Sequence, residues 1–138
     1  MQNSLKLAIS IGSIAVAIVA VQVAVGQQTP PTESKGVSGK VIGVLKLTDE
    51  IPGMGGRELR LRVTTVEPGG VFALHNHKDR PAVEFILSGS ATEFRGTTSK
   101  VHKDGDAAVT GKDVTHWWRN DGKVPTVFVV ADIFNPSK

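Results

Sequence analysis

The chain has 138 residues, of which 40% are hydrophobic and 5% aromatic, with a formal charge of +3, 15 Gly and no Cys. That length bounds it to one domain, or one domain with an appendage, and the composition excludes collagen, long coiled coils and most disordered chains. The lack of Cys excludes disulfides, thiolate zinc sites, iron–sulfur clusters and a Cys nucleophile, and the small, scattered charge argues against a nucleic-acid partner.

Residues 1–26 carry one charge, Lys6, and Leu7 to Val25 then run without another. A basic start, an apolar stretch and small residues at its end describe a secretory signal. Ala24 and Gly26 stand three and one places before Gln27, a cleavage position. The competing reading is an uncleaved anchor, because about 18 apolar residues can span a bilayer. The expected location is therefore periplasmic or secreted. The alternative is an inner-membrane anchor facing the periplasm, and only then does a membrane become a partner. Residues 27–36 open on a polar, Pro-rich segment (QQTPPTESK) and read as a flexible lead-in. Residues 37–138 are expected to form the folded domain.

In that domain, helical periodicity is hard to find and alternation is easy to find. Glu58 to Thr64 places Leu59, Leu61 and Val63 on one face and charge on the other. Val83, Phe85 and Leu87 alternate with Glu84, Ile86 and Ser88. Thr126 to Ile133 is an apolar run that fits a buried strand. Turn signals separate these runs: Pro52-Gly53, Pro68-Gly69-Gly70, Ser88-Gly89, Asp104-Gly105 and Asp121-Gly122. Several short strands at such spacing predict an all-β sandwich or small barrel.

Four histidines are present: His75, His77, His102 and His116. Side chains two apart on a strand face the same way, with Cα atoms roughly 6.6 Å apart. The imidazoles of His75 and His77 can therefore converge on one ion; the bland alternative is two surface histidines on an exposed strand. Other chemistries fail: there is no GxSxG elbow, no P-loop, and Gly53-Met54-Gly55-Gly56 lacks the rest of a dinucleotide fingerprint.

Gly69, His75, His77 and Gly89 follow the spacing G(X)5HXH(X)3–4E(X)6G, and Gly105, His116 and Asn120 follow G(X)5PXG(X)2H(X)3N. In these two motifs, over about residues 57–134, the sequence resembles the cupin superfamily. The resemblance implies a small antiparallel double-stranded β-helix, the jelly-roll barrel. It also implies one divalent transition metal (Fe, Zn, Ni, Cu or Mn) held by His75, His77 and His116. Three departures stand out. The glutamate position is Ala82, the second motif's proline is Gly111, and its glycine is Asp113.

Glu84 lies two residues past Ala82, on the same strand face. It could be a further metal ligand, an acid contacting substrate, or a surface charge if the parity runs the other way. Trp118 shares the His116 face and is a candidate pocket wall or a core residue. His102 is expected to be exposed, and Glu93 and Arg95 to sit on a solvated edge strand. The resemblance thus implies an exported metal-binding cupin, with a three-His oxygenase or related enzyme acting on a small oxygen-containing molecule as the leading function. A non-catalytic module for a small-molecule ligand or metal is the alternative. Cupin barrels resemble one another in often pairing through an edge strand, so a homodimer is expected.

Overall fold

The computed structural model describes residues 28–137, all strand, turn and loop. The N-terminal signal or anchor expected at residues 1–26 lies outside the described residues. Eight strands follow in order: β1 (Lys35–Lys46), β2 (Glu58–Asn76), β3 (Ala82–Ser88), β4 (Ser90–Arg95), β5 (Thr98–Lys103), β6 (Ala107–Thr110), β7 (Thr115–Arg119) and β8 (Thr126–Phe134). The described pairings are antiparallel, in the order β5-β4-β7-β2-β8-β3-β6, with β1 added on β2. The result is the nearly closed antiparallel barrel of a double-stranded β-helix.

Strand β2 joins the two sides of that barrel. Its first half, Glu58 to Val66, pairs with β8, and its second half, from Val71, pairs with β7. Pro68-Gly69-Gly70 lies at the change of partner. The expected turn is therefore a bend within one long strand, because no chain reversal occurs there. A Cβ on Gly70 would lie 2.8 Å from the Glu67 carbonyl oxygen, so the bend admits only glycine at that position. Gly89 makes a second corner, between β3 and β4, which follow each other in the chain but are not neighbours in the strand order. Its φ is +83°, and a Cβ there would lie 2.6 Å from the Pro125 carbonyl oxygen.

The apolar core consists of Val66, Ala82, Ile86, Ala91, Ala108, Trp118, Phe128 and Val130. Alternation delivers them: Ala82, Glu84 and Ile86 are buried on β3, and Thr126, Phe128, Val130 and Asp132 on β8. Truncating the fully buried Ile86 to Ala would cost about 2–5 kcal/mol. On β2 the faces separate as the pattern requires, but with an unusual sense. Leu59 and Leu61 face solvent at 40% and 38% exposure, and Arg60 and Arg62 turn toward the buried Asp132.

Asn120, fully buried, holds the end of β7 in place. Its amide nitrogen donates to the carbonyls of Val66 (2.9 Å) and Val124 (2.8 Å), and its side-chain oxygen accepts from the Gly122 N–H (2.8 Å). These bonds tie β7 to β2 and to the turn before β8, so the strand that carries His116 cannot slide against the strand that carries His75.

Candidate metal centre

His75 and His116 are directly opposed across the β2–β7 ladder. Opposed residues project to the same face at close Cβ distance, which brings His75 Nε2 to 3.1 Å from His116 Nε2. His77 lies just past the end of β2, where its N–H donates to the Val114 carbonyl (2.9 Å). Its Nε2 reaches 3.0 Å from His116 Nε2. Glu84 enters from β3, with Oε1 3.8 Å from His77 Nε2 and 3.9 Å from His116 Nε2. The four ligand atoms all lie within 4.8 Å of one another, and the cluster could hold a metal ion.

The other ring nitrogens set the tautomers. His75 Nδ1 donates to the Ala73 carbonyl (2.8 Å) and His77 Nδ1 to the Arg80 carbonyl (2.8 Å). His116 Nδ1 donates to Glu93 Oε1 (2.6 Å). Carbonyls and carboxylates only accept, so each ring proton is held at Nδ1. Three bare Nε2 lone pairs then face one another. Burial pushes the pKa of both His75 and His77 down to about 4, against the raising effect of their backbone bonds. At neutral pH His75 and His77 are therefore uncharged, and a cation would relieve the crowding of their lone pairs.

The donor set fits an ion on two further counts. Two nitrogens about 2.1 Å from one ion and at right angles to each other lie about 3.0 Å apart, close to the separations found. Glu84 Oε2 is buried without a hydrogen-bond partner, and an unpaired buried carboxylate oxygen is costly unless something binds it. Burial pushes the Glu84 carboxyl above its ordinary pKa, and His116 counteracts this. A metal would favour the charged form.

Behind His116 stands Glu93, 4% exposed. Burial pushes its pKa up, but hydrogen bonds from His116 and Arg95 outweigh that and hold it at about 2. Its Oε1 accepts from Arg95 Nε (2.7 Å) as well as from His116, and its Oε2 lies 3.1 Å from His102 Nε2. Register explains the grouping. On β4, Glu93 faces Trp118 of β7 and Lys100 of β5, which puts His116 and His102 on its diagonals. A carboxylate behind a ligating imidazole fixes the ring and strengthens its basicity.

The family model for the cupin domain (Cupin_2) matches residues 62–132. The chain belongs to the cupin family. Among curated proteins, none matches the sequence. Solved structures do. A conserved protein of Klebsiella pneumoniae with a double-stranded β-helix domain is 25% identical at a TM-score of 0.54, over 58% of this chain and 70% of that one. A cupin-2 domain protein of Rhodospirillum rubrum is 19% identical at a TM-score of 0.55, over 72% of this chain and 60% of that one. A recombinant oxalate oxidase in complex with glycolate is 19% identical at a TM-score of 0.54, and the match covers 76% of this chain and 57% of the oxidase. At such identities the likeness is one of fold.

Against that family frame, His75, His77 and His116 come together as their motif spacing predicts. Ala82, which stands where other cupins carry glutamate, is buried opposite Asp132. Glu84, two residues further on, is buried beside the histidines, so its surface reading is corrected: Ile86 and Ala82 share its buried face, and Val83 and Phe85 face outward. Trp118 is 2% exposed and forms part of a cavity wall beside His75 and Glu84, so pocket wall and core residue are both true of it.

Two expectations fail. His102 is 2% exposed, and Glu93 is buried on a strand that lies between β5 and β7. Their mutual bond removes the cost that made exposure the simpler expectation for each. Sequence reasoning also passed over Arg62 and Arg80, which line the same cavity as His75. The available signal was the Arg60-Leu61-Arg62 alternation, whose charged face could have been read as the inner one.

Proposed function

We propose that His75, His77, His116 and Glu84 hold one divalent transition-metal ion (Fe, Zn, Ni, Cu or Mn), and that the protein is an exported metal-dependent enzyme acting on a small oxygen-containing molecule, of the oxygenase kind. One observation carries this reading: three imidazoles with their protons committed at Nδ1 and their Nε2 lone pairs aimed at one point. Imidazoles with a single carboxylate suit first-row transition metals better than magnesium or calcium. Such an ion with open positions supplies Lewis acidity toward a substrate oxygen, O2 or water. The chain supplies the rest. Ala73, Arg80 and Glu93 orient the imidazoles, and Phe72, Trp118, Phe128 and Val130 form apolar walls that keep bulk water out.

The cavity beside the cluster is narrow, about 20 Å³, room for little more than one water. That narrowness favours a second reading, a module that binds a metal or small ligand without turnover. Elemental analysis of protein purified without a His tag tests the shared part of both. About one ion per chain, absent from a His75→Ala/His116→Ala variant, is the expected result. No metal after reconstitution with each candidate ion would sink both readings. Iron directs the next assay to O2 uptake, and absence of turnover with bound metal would favour the module.

A homodimer belongs to the same proposal. Leu59, Leu61, Val83, Phe85 and Val109 are 38–67% exposed along the outward side of β2, β3 and β6. A contiguous apolar face of this kind is a usual mark of an interaction surface. The apolar β8 segment lies between β2 and β3, so it would meet a second copy by its outward face and not as an edge. Export rests on the 1–26 pattern, and the mass of the mature protein tests it. Loss of the first 26 residues supports periplasmic or secreted release; an intact N-terminus in the membrane fraction supports the anchor.

A further inference from the structure

Three guanidiniums gather on one carboxylate beside the histidine cluster. Asp132, whose side chain is wholly buried, receives a two-pronged bond from Arg60 at 3.1 and 2.9 Å. Arg62 Nη2 lies 3.3 Å from Asp132 Oδ2, and Arg80 Nε lies 3.8 Å from it. Arg60 is committed elsewhere, with Nε and Nη2 on Asp132 and Cζ 3.8 Å from the centre of the Phe134 ring. Arg62 and Arg80 share what remains of that negative charge, and Glu84 across the cavity is the other anion that acts on Arg62. Arg62 Nε is buried and has no hydrogen-bond partner. Desolvation lowers the Arg62 pKa, as befits a cation short of acceptors, although Asp132 works against it.

Both arginines line the cavity that His75 and Glu84 also line. The strand register explains how they get there: Arg62 pairs with Val130, which pairs with Glu84, so one cross-strand row carries an arginine, an apolar spacer and the candidate carboxylate ligand. Among the lining residues, Thr64, Glu84, Trp118, Phe128 and Val130 are buried, and Arg62, Phe72, His75 and Arg80 are half-buried. The opening therefore lies among the last four, two of which are cationic.

We propose that Arg62 and Arg80 bind the carboxylate of an anionic ligand at the mouth of this cavity. This rests on the reading of the cluster as a metal centre, toward which the rest of the ligand would point. A planar guanidinium fork matches a planar carboxylate with two parallel bonds. A carboxylate would also give Arg62 Nε the acceptor it lacks and offset the surplus positive charge. A neutral ligand would do neither.

The test is a titration of the purified protein, metal-free and metal-loaded, with sodium acetate, acetamide and inorganic phosphate at constant ionic strength. Tryptophan fluorescence reads it, since Trp118 lines the cavity. Acetate should give a saturable response in the metal-free protein, and acetamide none. Arg62→Gln should weaken acetate binding by about tenfold or more, the effect of losing a charge-assisted bond, with metal content unchanged. Arg80→Gln, half-buried in the loop between β2 and β3 and 3.8 Å from Asp132, where Arg60 and Arg62 remain as partners, should weaken it by a smaller factor and carries the test if Arg62→Gln does not fold. Equal binding of acetamide and acetate, tighter binding of phosphate, or unchanged acetate affinity in both folded variants would overturn the proposal. Acetate binding lost on Arg62→Gln in a protein that takes up no metal would instead overturn the metal reading and leave this one standing.

Discussion

The inner and outer faces of the β2–β8–β3 strands depart from the usual partition beside the histidine cluster, although the inner face also carries the apolar core. Its inner face carries Arg60, Arg62, Glu84 and Asp132 among its buried or half-buried side chains, and its outer face carries Leu59, Leu61, Val83 and Phe85 at 38–46% exposure. An ordinary two-sided sheet buries its apolar row and solvates its charged one. Here the charged row is held inside by opposite charge arriving from other strands, with Arg60 and Arg62 on Asp132, and is left incomplete at Glu84 Oε2 and Arg62 Nε, which have no hydrogen-bond partner. A barrel interior that holds charge is costly in folding terms and is found where chemistry or ligand binding requires it. The outer face teaches the complement. Apolar side chains left in water are an economical surface only when something covers them, and a second copy is the proposed cover.

The sharpest way to break this contrast is to remove the carboxylate that holds the inner row. Asp132→Ala leaves three guanidiniums together without the carboxylate they share. The expected loss of stability is about 3–5 kcal/mol, read by denaturant melts, and a loss below about 1 kcal/mol, the range of exposed ion pairs, would show that the inner row is solvated.

Acid should act next. The folded-state pKa of His75 and of His77 is about 4, below the ordinary 6.5, so the unfolded chain binds protons first. The metal-free protein should be fully stabilised by these groups above pH 6.5 and lose that contribution as pH falls from 6.5 to about 4. The depressed Glu93 extends the loss further, from its ordinary 4.5 down to about 2. A melting temperature independent of pH across that histidine range would contradict the burial assigned to the cluster.

Glu93→Gln should be milder. It keeps the shape and removes the charge behind His116, and it should weaken metal affinity by about 10–100-fold while the fold persists. Affinity unchanged in a competition titration with a chelator would reduce Glu93 to a structural role.

The smallest effect on the monomer is expected on the outer face. Val83→Lys or Phe85→Lys should change monomer stability by only about 0.5 kcal/mol, yet convert a dimer to a monomer in sedimentation. A protein that is monomeric before the substitution would leave the exposed apolar row without a second copy to cover it, and the dimer proposal would fall.

Much of the centre was legible residue by residue. The two-residue spacing of His75 and His77 places them on one strand face whatever the tertiary fold, and His116 follows from the second motif. Glu84 was legible as a candidate and not as an answer, since alternation offers two parities and only the packing of Ala82 and Ile86 inward selects one. Glu93 and His102 were misread because each, taken singly, is a polar residue that prefers water. Their burial depends on a bond between neighbouring strands β4 and β5, which no local pattern records.

By itself, then, the sequence determined the strand-rich class, the glycine corners, the spacing of three histidines and the separation of Leu59 and Leu61 from Arg60 and Arg62 into opposite faces. Those are local properties, set by a period of two residues and by the backbone freedom of glycine. The tertiary structure alone decided which face is the inside, that a long β2 bends between both halves of the barrel, and that Glu93 stands behind His116. Those outcomes depend on partners distant in the chain. A buried charge is stable only where its counterpart arrives from another strand, and that arrival is a property of the register of the whole barrel.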